Sequence, residues 1–364
     1  MWRTLGQEST IEWLSNSIRE GAIHHAYLFL GPEHVGKMTL ALDLACALNC
    51  QSDNPPCGEC HACSRILEWK HADVLVPPPA NEVDEDGESE DDKTAGPSNS
   101  ILIKQMRKLD HMANLPPFEG KWKVILIDDA DRMTVASANY ILKTLEEPPE
   151  HIVWMLLATN ENALLDTIIS RCQRVDVRPM AMPELANMLM ERYGADEERA
   201  NLLARVSGGR TGWAISAMQD DSVMTARASR LESIIQLMQM GPTARFDLSR
   251  EMDQQYRRDQ KAVLETLDVW TTWWRDLMMM KTSCADTVVN VDYVNDLNEQ
   301  AQSLTLELVR ESIANLDEAR ENLALNVIPR LVFDSLVYSI PRVLRSTAER
   351  AAPTVAAQDK SETE

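Results

Sequence analysis

The 364-residue sequence lacks the segments that would place a protein in or across a membrane. An α-helix needs about 20 consecutive apolar residues to cross a bilayer, and the apolar run at residues 153–158 is far shorter. Residues 1–7 lack the basic and then apolar pattern of a secretory leader. At 44% hydrophobic and 26% charged, the composition is typical of a soluble globular chain of two or three domains. We therefore expect a cytoplasmic protein with no membrane partner.

Positive charge is scarce, and the net charge is −21 at pH 7. A surplus of this sign argues against a broad DNA-binding surface. Residues 82–92 hold eight acidic residues and no basic one, and we expect a disordered insertion at about 80–100. Without those eight charges the chain would still carry −13, so any DNA contact must be a small patch. The polar tail 349–364 is also expected to be disordered.

Cysteine is sparse as well, yet four of the seven cysteines lie within fourteen residues. In a cytosolic chain, closely spaced cysteines favour a metal site over disulfides. Four sulfur ligands around one tetrahedral Zn²⁺ leave no position for water, so the site would be structural. An iron–sulfur cluster is the alternative, and zinc is favoured because nothing else in the sequence suggests redox chemistry. The predicted ligands are Cys50, Cys57, Cys60 and Cys63.

Short apolar runs alternate with helical patterns through the first half of the chain. Residues 26–30, 123–127 and 152–158 are predicted buried strands, which indicates a mostly parallel α/β sheet covered on both faces. Beyond residue 178 only helical patterns continue. We predict an α/β P-loop domain over 1–178, a small helical lid domain over 179–240 and an all-α collar domain over 241–348.

The first predicted strand runs into a phosphate-binding motif. In the run G-P-E-H-V-G-K, the glycines Gly31 and Gly36 let backbone N–H groups wrap a phosphate, and Lys37 reaches the outer phosphates. The position between a strand and a helix supports a nucleotide site. The alternative is that the loop is only a structural turn.

Two positions weaken the expected chemistry. A P-loop normally continues with Ser or Thr, whose hydroxyl binds Mg²⁺, but the residue here is Met38. Thr39 could touch a phosphate, although on a helix it points about 100° away from the metal position. At the end of the second strand, Asp128 is the predicted metal-orienting carboxylate, and Asp129 stands where hydrolysing relatives of the fold carry Glu. We predict little or no hydrolysis, with ATP or ADP left open as a ligand and Mg²⁺ disfavoured.

The order of the motifs along the chain is similar to that of a known family. A P-loop, the four-cysteine insertion, the acidic strand end, the run L-K-T-L-E-E-P-P at 142–149 and the run S-R-C at 170–172 follow one another. In this order the chain resembles the AAA+ clamp-loader subunits of bacterial DNA polymerase III, most of all the delta-prime type. The similarity covers roughly residues 1–215.

The resemblance implies roles for single positions. Arg171 matches an arginine finger, which reaches the γ-phosphate held by a neighbouring subunit. Thr159 matches a residue that positions water or phosphate, and Gly212 stands where active relatives carry an arginine. The implied function is a subunit of the polymerase III holoenzyme that helps to load the sliding clamp and completes a neighbour's active site, with its own ATPase weak or absent.

The same resemblance implies the partners. These are gamma/tau and delta subunits, the sliding clamp, and primed DNA through its phosphate backbone. Two alternative functions remain, an autonomous P-loop ATPase of the gamma/tau type and a non-enzymatic adaptor that contains zinc.

Overall fold

The computed structural model describes residues 1–78 and 101–343. The chain divides into two compact units, Met1–Met224 and Thr225–Glu364. The acidic residues 82–92 and the tail 349–364, both expected to be disordered, lie outside the described residues. The division into P-loop, lid and collar domains at 178 and 240 stays a prediction.

The first unit is built on a five-stranded sheet in which the neighbouring strands are parallel. The spatial order is β2-β3-β4-β1-β5, so β1 lies inside the sheet and β5 at one edge. The strands are β1 (Ala26–Leu30), β2 (Val74–Leu75), β3 (Lys123–Ile127), β4 (Ile152–Ala158) and β5 (Gln173–Asp176). The three strands predicted from sequence are confirmed at their predicted bounds.

Helices cover both faces of this sheet. They are α1 (Glu8–Arg19), α2 (Lys37–Asn49), α3 (His61–Leu67), α4 (Ile103–Ala113), α5 (Val135–Glu146) and α6 (Asp166–Ile169). Side chains alternate along a strand, so Val124 and Leu126 of β3 pack with α1 to α3, whereas Ile125 and Ile127 pack with α4 to α6. The predicted parallel α/β core with two covered faces is confirmed.

A separate small core follows the sheet in the chain. It is formed mainly by α7 (Met182–Tyr193), α8 (Glu197–Val206) and α9 (Thr211–Gln219). Fully buried leucines at 185, 189 and 203 and alanines at 200, 214 and 217 make up its centre. Apolar residues at helical spacing after residue 178 predicted these short helices.

The described residues of the second unit form helices and the loops between them. After α10 (Asp221–Leu237), which crosses the division between the units, come α11 (Pro242–Arg258), α12 (Gln260–Lys281), α13 (Val294–Ser303), α14 (Leu306–Ala324) and α15 (Pro329–Ser339). Trp270, Trp273 and Trp274 of α12 are at most 1% exposed and lie in one apolar core. Among the described helices, none combines the length and the apolar character that a bilayer crossing requires.

Candidate functional site

The parallel sheet separates the predicted site residues into two groups. Parallel strands share a carboxyl edge, and the P-loop after β1, Asp128 after β3 and Thr159 after β4 all lie at that edge. Arg171 instead precedes β5 by two residues and therefore lies at the amino edge. The sheet brings the predicted nucleotide residues together and places the predicted finger away from them.

The two glycines of the P-loop are required by the local geometry. A Cβ atom on Gly31 would lie 2.1 Å from the carbonyl oxygen of Val177, a distance that no side chain can occupy. Gly36 adopts a φ of 100° as the N-cap of α2, a conformation that L side chains rarely adopt. These contacts explain the glycines by packing and turn geometry, whether or not a phosphate binds.

Lys37 is hydrogen-bonded to its own loop. Its Nζ donates to the carbonyl oxygen of Gly31 at 2.6 Å and to that of Pro32 at 2.9 Å. Burial lowers the pKa of the Lys37 ammonium, and the carboxylates of Asp131 and Asp128 oppose that shift. A phosphate would have to draw the ammonium away from these two carbonyls.

Thr159 is engaged by an aspartate that sequence analysis missed. The Thr159 hydroxyl donates to Oδ2 of Asp131 at 2.6 Å, and the backbone N–H groups of Thr159 and Asn160 donate to the same oxygen at 3.1 and 3.3 Å. This carboxylate therefore ties the end of β4 to the segment after β3. The sequence signal was only a third acid in the run D-D-A-D, and its partner lies 28 residues away. Asp129 has a φ of 48° and pairs with Arg132 at 3.1 Å.

The start of α9 lies against the P-loop. The backbone N–H of Gly212 donates to the carbonyl oxygen of His34 at 2.8 Å, and the Thr211 hydroxyl donates to that of Val35 at 3.3 Å. A Cβ on Gly212 would lie 2.8 Å from the same His34 oxygen, so glycine permits the close approach. Met38 is half-buried and packs with the core under the loop.

A cavity of about 380 Å³ opens beside this edge, within the volume range of small-molecule sites. Gly31, Pro32 and Thr159 line one part of it, and Arg174 lines another. Arg174 is held by Glu161 at 2.6 Å and by Asp176 at 2.8 Å. Thr39 follows Met38 in the first turn of α2 and is half-buried. The opening has the size of a small-molecule site, and the charged side chains of Glu161, Arg174 and Asp176 that line it bond to one another.

Arg171 is presented differently at the amino edge. Its Nη2 donates to Oε1 of Glu146 at 2.5 Å, and its Nη1 donates to the carbonyl oxygen of Thr167 at 2.8 Å. The hydroxyl of Ser170 lies 3.4 Å from Nη1 and itself donates to Thr167. Burial raises the pKa of the neighbouring Cys172 thiol to about 12, as expected for a packing side chain. Arg171 is therefore half-buried, with the Ser170 hydroxyl beside it and the Cys172 side chain packed against the core.

The four predicted metal ligands converge on one point. The sulfurs of Cys50, Cys57, Cys60 and Cys63 all lie within 4.8 Å of one another. The Cys50–Cys60 and Cys57–Cys63 sulfur pairs are each 4.0 Å apart, and a tetrahedral Zn²⁺ with bonds of about 2.3 Å places its sulfurs about 3.8 Å apart. Backbone N–H groups of Cys57 and Cys60 donate to the sulfurs of Cys50 and Cys57 at 3.4 and 3.3 Å. The donor set fits a closed structural metal site.

Comparison with known proteins finds similar sequences among the subunits of DNA polymerase III. A family model described as DNA polymerase III, delta subunit, matches residues 6–181. The delta-prime subunit of Bacillus subtilis is 26% identical over 339 residues, which cover 92% of this chain and 97% of that protein. The chain is therefore similar to the delta, delta-prime and tau subunits of DNA polymerase III.

Subunits named tau are also similar to this chain, but the match covers a smaller part of their length. The tau subunit of Escherichia coli is 35% identical over 212 residues, which are 56% of this chain and 30% of tau. The tau subunit of Bacillus subtilis is 24% identical over 94% of this chain and 62% of its own length.

The family match extends over both edges of the sheet. Residues 6–181 include the P-loop, the cysteine cluster and Arg171, whereas Gly212 and the second unit lie beyond the matched range. The match therefore lies within the first unit and includes residues from both edges of its sheet.

Proposed function

We propose that this chain is a delta-prime-like subunit of the DNA polymerase III clamp loader that donates Arg171 to the active site of a neighbouring ATPase subunit. One observation supports this proposal most directly. Arg171 lies at the amino edge of the sheet, whereas the chain's own P-loop lies at the carboxyl edge. A guanidinium so placed serves a nucleotide bound by another subunit better than one bound in its own chain.

The chemistry follows from the charge of phosphoryl transfer. Negative charge spreads over the γ-phosphate in the transition state, and an arginine that reaches it from a neighbouring subunit accelerates related reactions by about 10³- to 10⁵-fold. Arg171 has a planar group that can donate two parallel hydrogen bonds to phosphate oxygens. Its side chain is 31% exposed, so a partner can reach it.

Weak or absent hydrolysis by the chain itself is part of the proposal. Met38 offers a thioether where Mg²⁺ favours oxygen, and Asp129 is one methylene shorter than the glutamate of hydrolysing relatives. Gly212 brings a backbone N–H and no guanidinium to the P-loop. These three departures act on one reaction and support a subunit that binds ATP or ADP at most.

The partners proposed for this role are the gamma/tau and delta subunits, the sliding clamp and primed DNA. The helical second unit would supply the collar contacts with the other subunits. The DNA contact would be to backbone phosphates through a small surface, because the chain as a whole is acidic.

The decisive experiment is ATP turnover by the reconstituted loader. Wild-type chain and Arg171→Ala are each mixed with gamma/tau and delta subunits, sliding clamp and primed DNA. We expect Arg171→Ala to lower kcat at the neighbouring site about 10³-fold. Arg174→Ala is the matched control, because Arg174 is an exposed, ion-paired arginine three residues along the chain, and it should leave kcat within about twofold. Equal turnover with wild type and Arg171→Ala would refute the proposal.

The same assay separates the two alternatives. An autonomous ATPase, suggested by the 35% identity to tau, would turn over ATP without partners and lose that activity in Lys37→Ala. A zinc adaptor would leave the ATPase of every partner unchanged, and its binding would depend on Cys57 and Cys60 but not on Arg171.

We also propose that the cysteine cluster holds one structural Zn²⁺. The four sulfur donors would close its coordination and tie α3 to the end of α2. Metal analysis of the full chain should find one zinc per chain, and Cys57→Ser should lower both the zinc content and the melting temperature. Iron with inorganic sulfide in place of zinc would contradict this assignment.

A further inference from the structure

The Arg171 guanidinium bonds to the carboxylate of Glu146, and this ion pair contributes little to the stability of the fold. Glu146 is the last residue of α5, and an acidic side chain at a helix C-terminus is disfavoured by the helix dipole. Its side chain is 51% exposed, and ion pairs this open to water add little to stability. The contact with Arg171 therefore calls for an explanation other than folding.

The geometry of the sheet brings the two residues together. Helix α5 connects β3 to the parallel strand β4, so its C-terminal end lies at the amino edge, beside the segment that leads into β5. Glu146 and Arg171 are 25 residues apart in sequence, and the pair is 2.5 Å long. Thr167 supplies a second acceptor from α6 at 2.8 Å. Two acceptors on different nitrogens fix both the position and the plane of the guanidinium.

We infer that Glu146 is a positioning residue for the Arg171 finger: its carboxylate holds the guanidinium in place at the amino edge while the remaining N–H groups of Arg171 reach a neighbour's γ-phosphate. This inference rests on the proposed function. A side chain as long as arginine has many rotamers, and holding one of them in advance lowers the entropy that must be lost when the transition state forms. The contacts with Glu146, Thr167 and Ser170 use at most three of the five guanidinium N–H groups, so a γ-phosphate can bind the others without displacing the carboxylate.

The expected effects are modest and specific. Exposed ion pairs favour the paired geometry by a factor of about two to five. Glu146→Ala should therefore lower kcat of the neighbouring site two- to fivefold in the reconstituted loader. KM for ATP should stay the same, because the finger acts on the transition state and not on nucleotide binding. Glu146→Gln keeps an oxygen that can accept from Nη2 and should restore most of the rate.

Glu147→Ala is the matched control, since Glu147 is the adjacent, exposed carboxylate and caps the same helix. It should behave as wild type. Equal kcat for the Glu146→Ala and Glu147→Ala loaders, a faster rate in Glu146→Ala, or a change confined to KM or to assembly would each overturn the inference. Arg171→Ala is run in parallel: if it is silent, the proposed function fails, and if it is inactive while Glu146→Ala is silent, only the positioning role fails.

Discussion

The two edges of one sheet treat their polar groups in opposite ways. At the carboxyl edge Lys37 bonds to carbonyls of its own loop, and Thr159 bonds to Asp131. At the amino edge Arg171 bonds to a side chain that is half open to water. The first arrangement satisfies groups within the chain, and the second keeps one available. The difference teaches that a P-loop sequence is not by itself a catalytic site.

The two edges also differ in how tightly their residues are packed. At the P-loop the Val177 carbonyl approaches so closely that there is no space for a Cβ at Gly31. The Arg171 pair is partly open to water, so a further anion can bind the guanidinium beside Glu146. The carboxyl edge should therefore respond to substitution through stability, and the amino edge through a partner's catalytic rate.

The largest expected effect is on catalysis at the amino edge. Arg171→Lys keeps a positive charge but loses the planar group that donates two parallel hydrogen bonds. We expect kcat of the neighbouring subunit to fall by about 10²-fold, less than in Arg171→Ala, whose loss reflects the whole finger. Steady-state ATP hydrolysis by the loader measures this. Lys37→Ala, which alters the carboxyl edge, serves as the control and should leave the loader's rate unchanged; a rate loss as large as that of Arg171→Lys would remove the contrast between the edges.

The next effect is on folding at the carboxyl edge. Gly31→Ala places a methyl group 2.1 Å from the Val177 oxygen, so the P-loop or the segment directly after β5 must move. Overpacking of this kind costs about 1–3 kcal/mol, and a rigid backbone neighbour puts the cost near the upper end. Denaturant unfolding should show a lower midpoint.

The control for this substitution is Gly241→Ala. Gly241 is the N-cap of α11 with a negative φ, and a Cβ there meets nothing within 4 Å, so the change should cost about 1 kcal/mol or less, the poorer N-cap being offset by the lower entropy of the unfolded chain. Equal midpoints for the two variants would show that Gly31 is kept for some purpose other than packing.

A smaller loss of stability is expected at Asp131, which ties the segment after β3 to the end of β4. Asp131→Ala removes three hydrogen bonds and should destabilise the chain by about 1–2 kcal/mol, since the group is partly open to water. Thr159→Val removes only the hydroxyl. The double variant should fall short of the sum by at least about 0.5 kcal/mol, as residues in contact usually do. Additive losses would mean that Thr159 does not depend on Asp131 and is free to serve a nucleotide.

Strands were predictable from the sequence where they form uninterrupted apolar runs. The runs at 26–30, 123–127 and 152–158 are buried on both sides, and their uniform apolar character marked them as strands. Two strands were missed. β2 has only two residues, and the edge strand β5 is exposed at three of four positions, so neither produces an apolar run.

The site was predictable only as far as short motifs extend. The cysteine spacing, the P-loop and the S-R-C run each lie within fourteen residues, and the four cysteines do converge as expected. Asp131, Glu146 and Val177 act through contacts with distant residues, which local patterns cannot register. The sequence therefore predicted the candidate site residues, and the structure shows which distant residues contact them.

The smallest effect concerns the charge of Lys37 and is best seen as pH dependence. Burial lowers the pKa of Lys37, so the folded chain binds this proton less tightly than the unfolded chain does. The charged group disfavours folding below the lowered pKa, and that penalty disappears as pH rises from the lowered value toward the unfolded value of about 10.4. Lys37→Met removes the titration, so its stability should gain less than that of wild type over this alkaline window. Melting temperature measured against pH tests this, with the exposed Lys70→Met as control. Identical slopes for wild type and Lys37→Met would mean that the ammonium is well solvated, and the carboxyl edge would then be as open to a phosphate as the amino edge is.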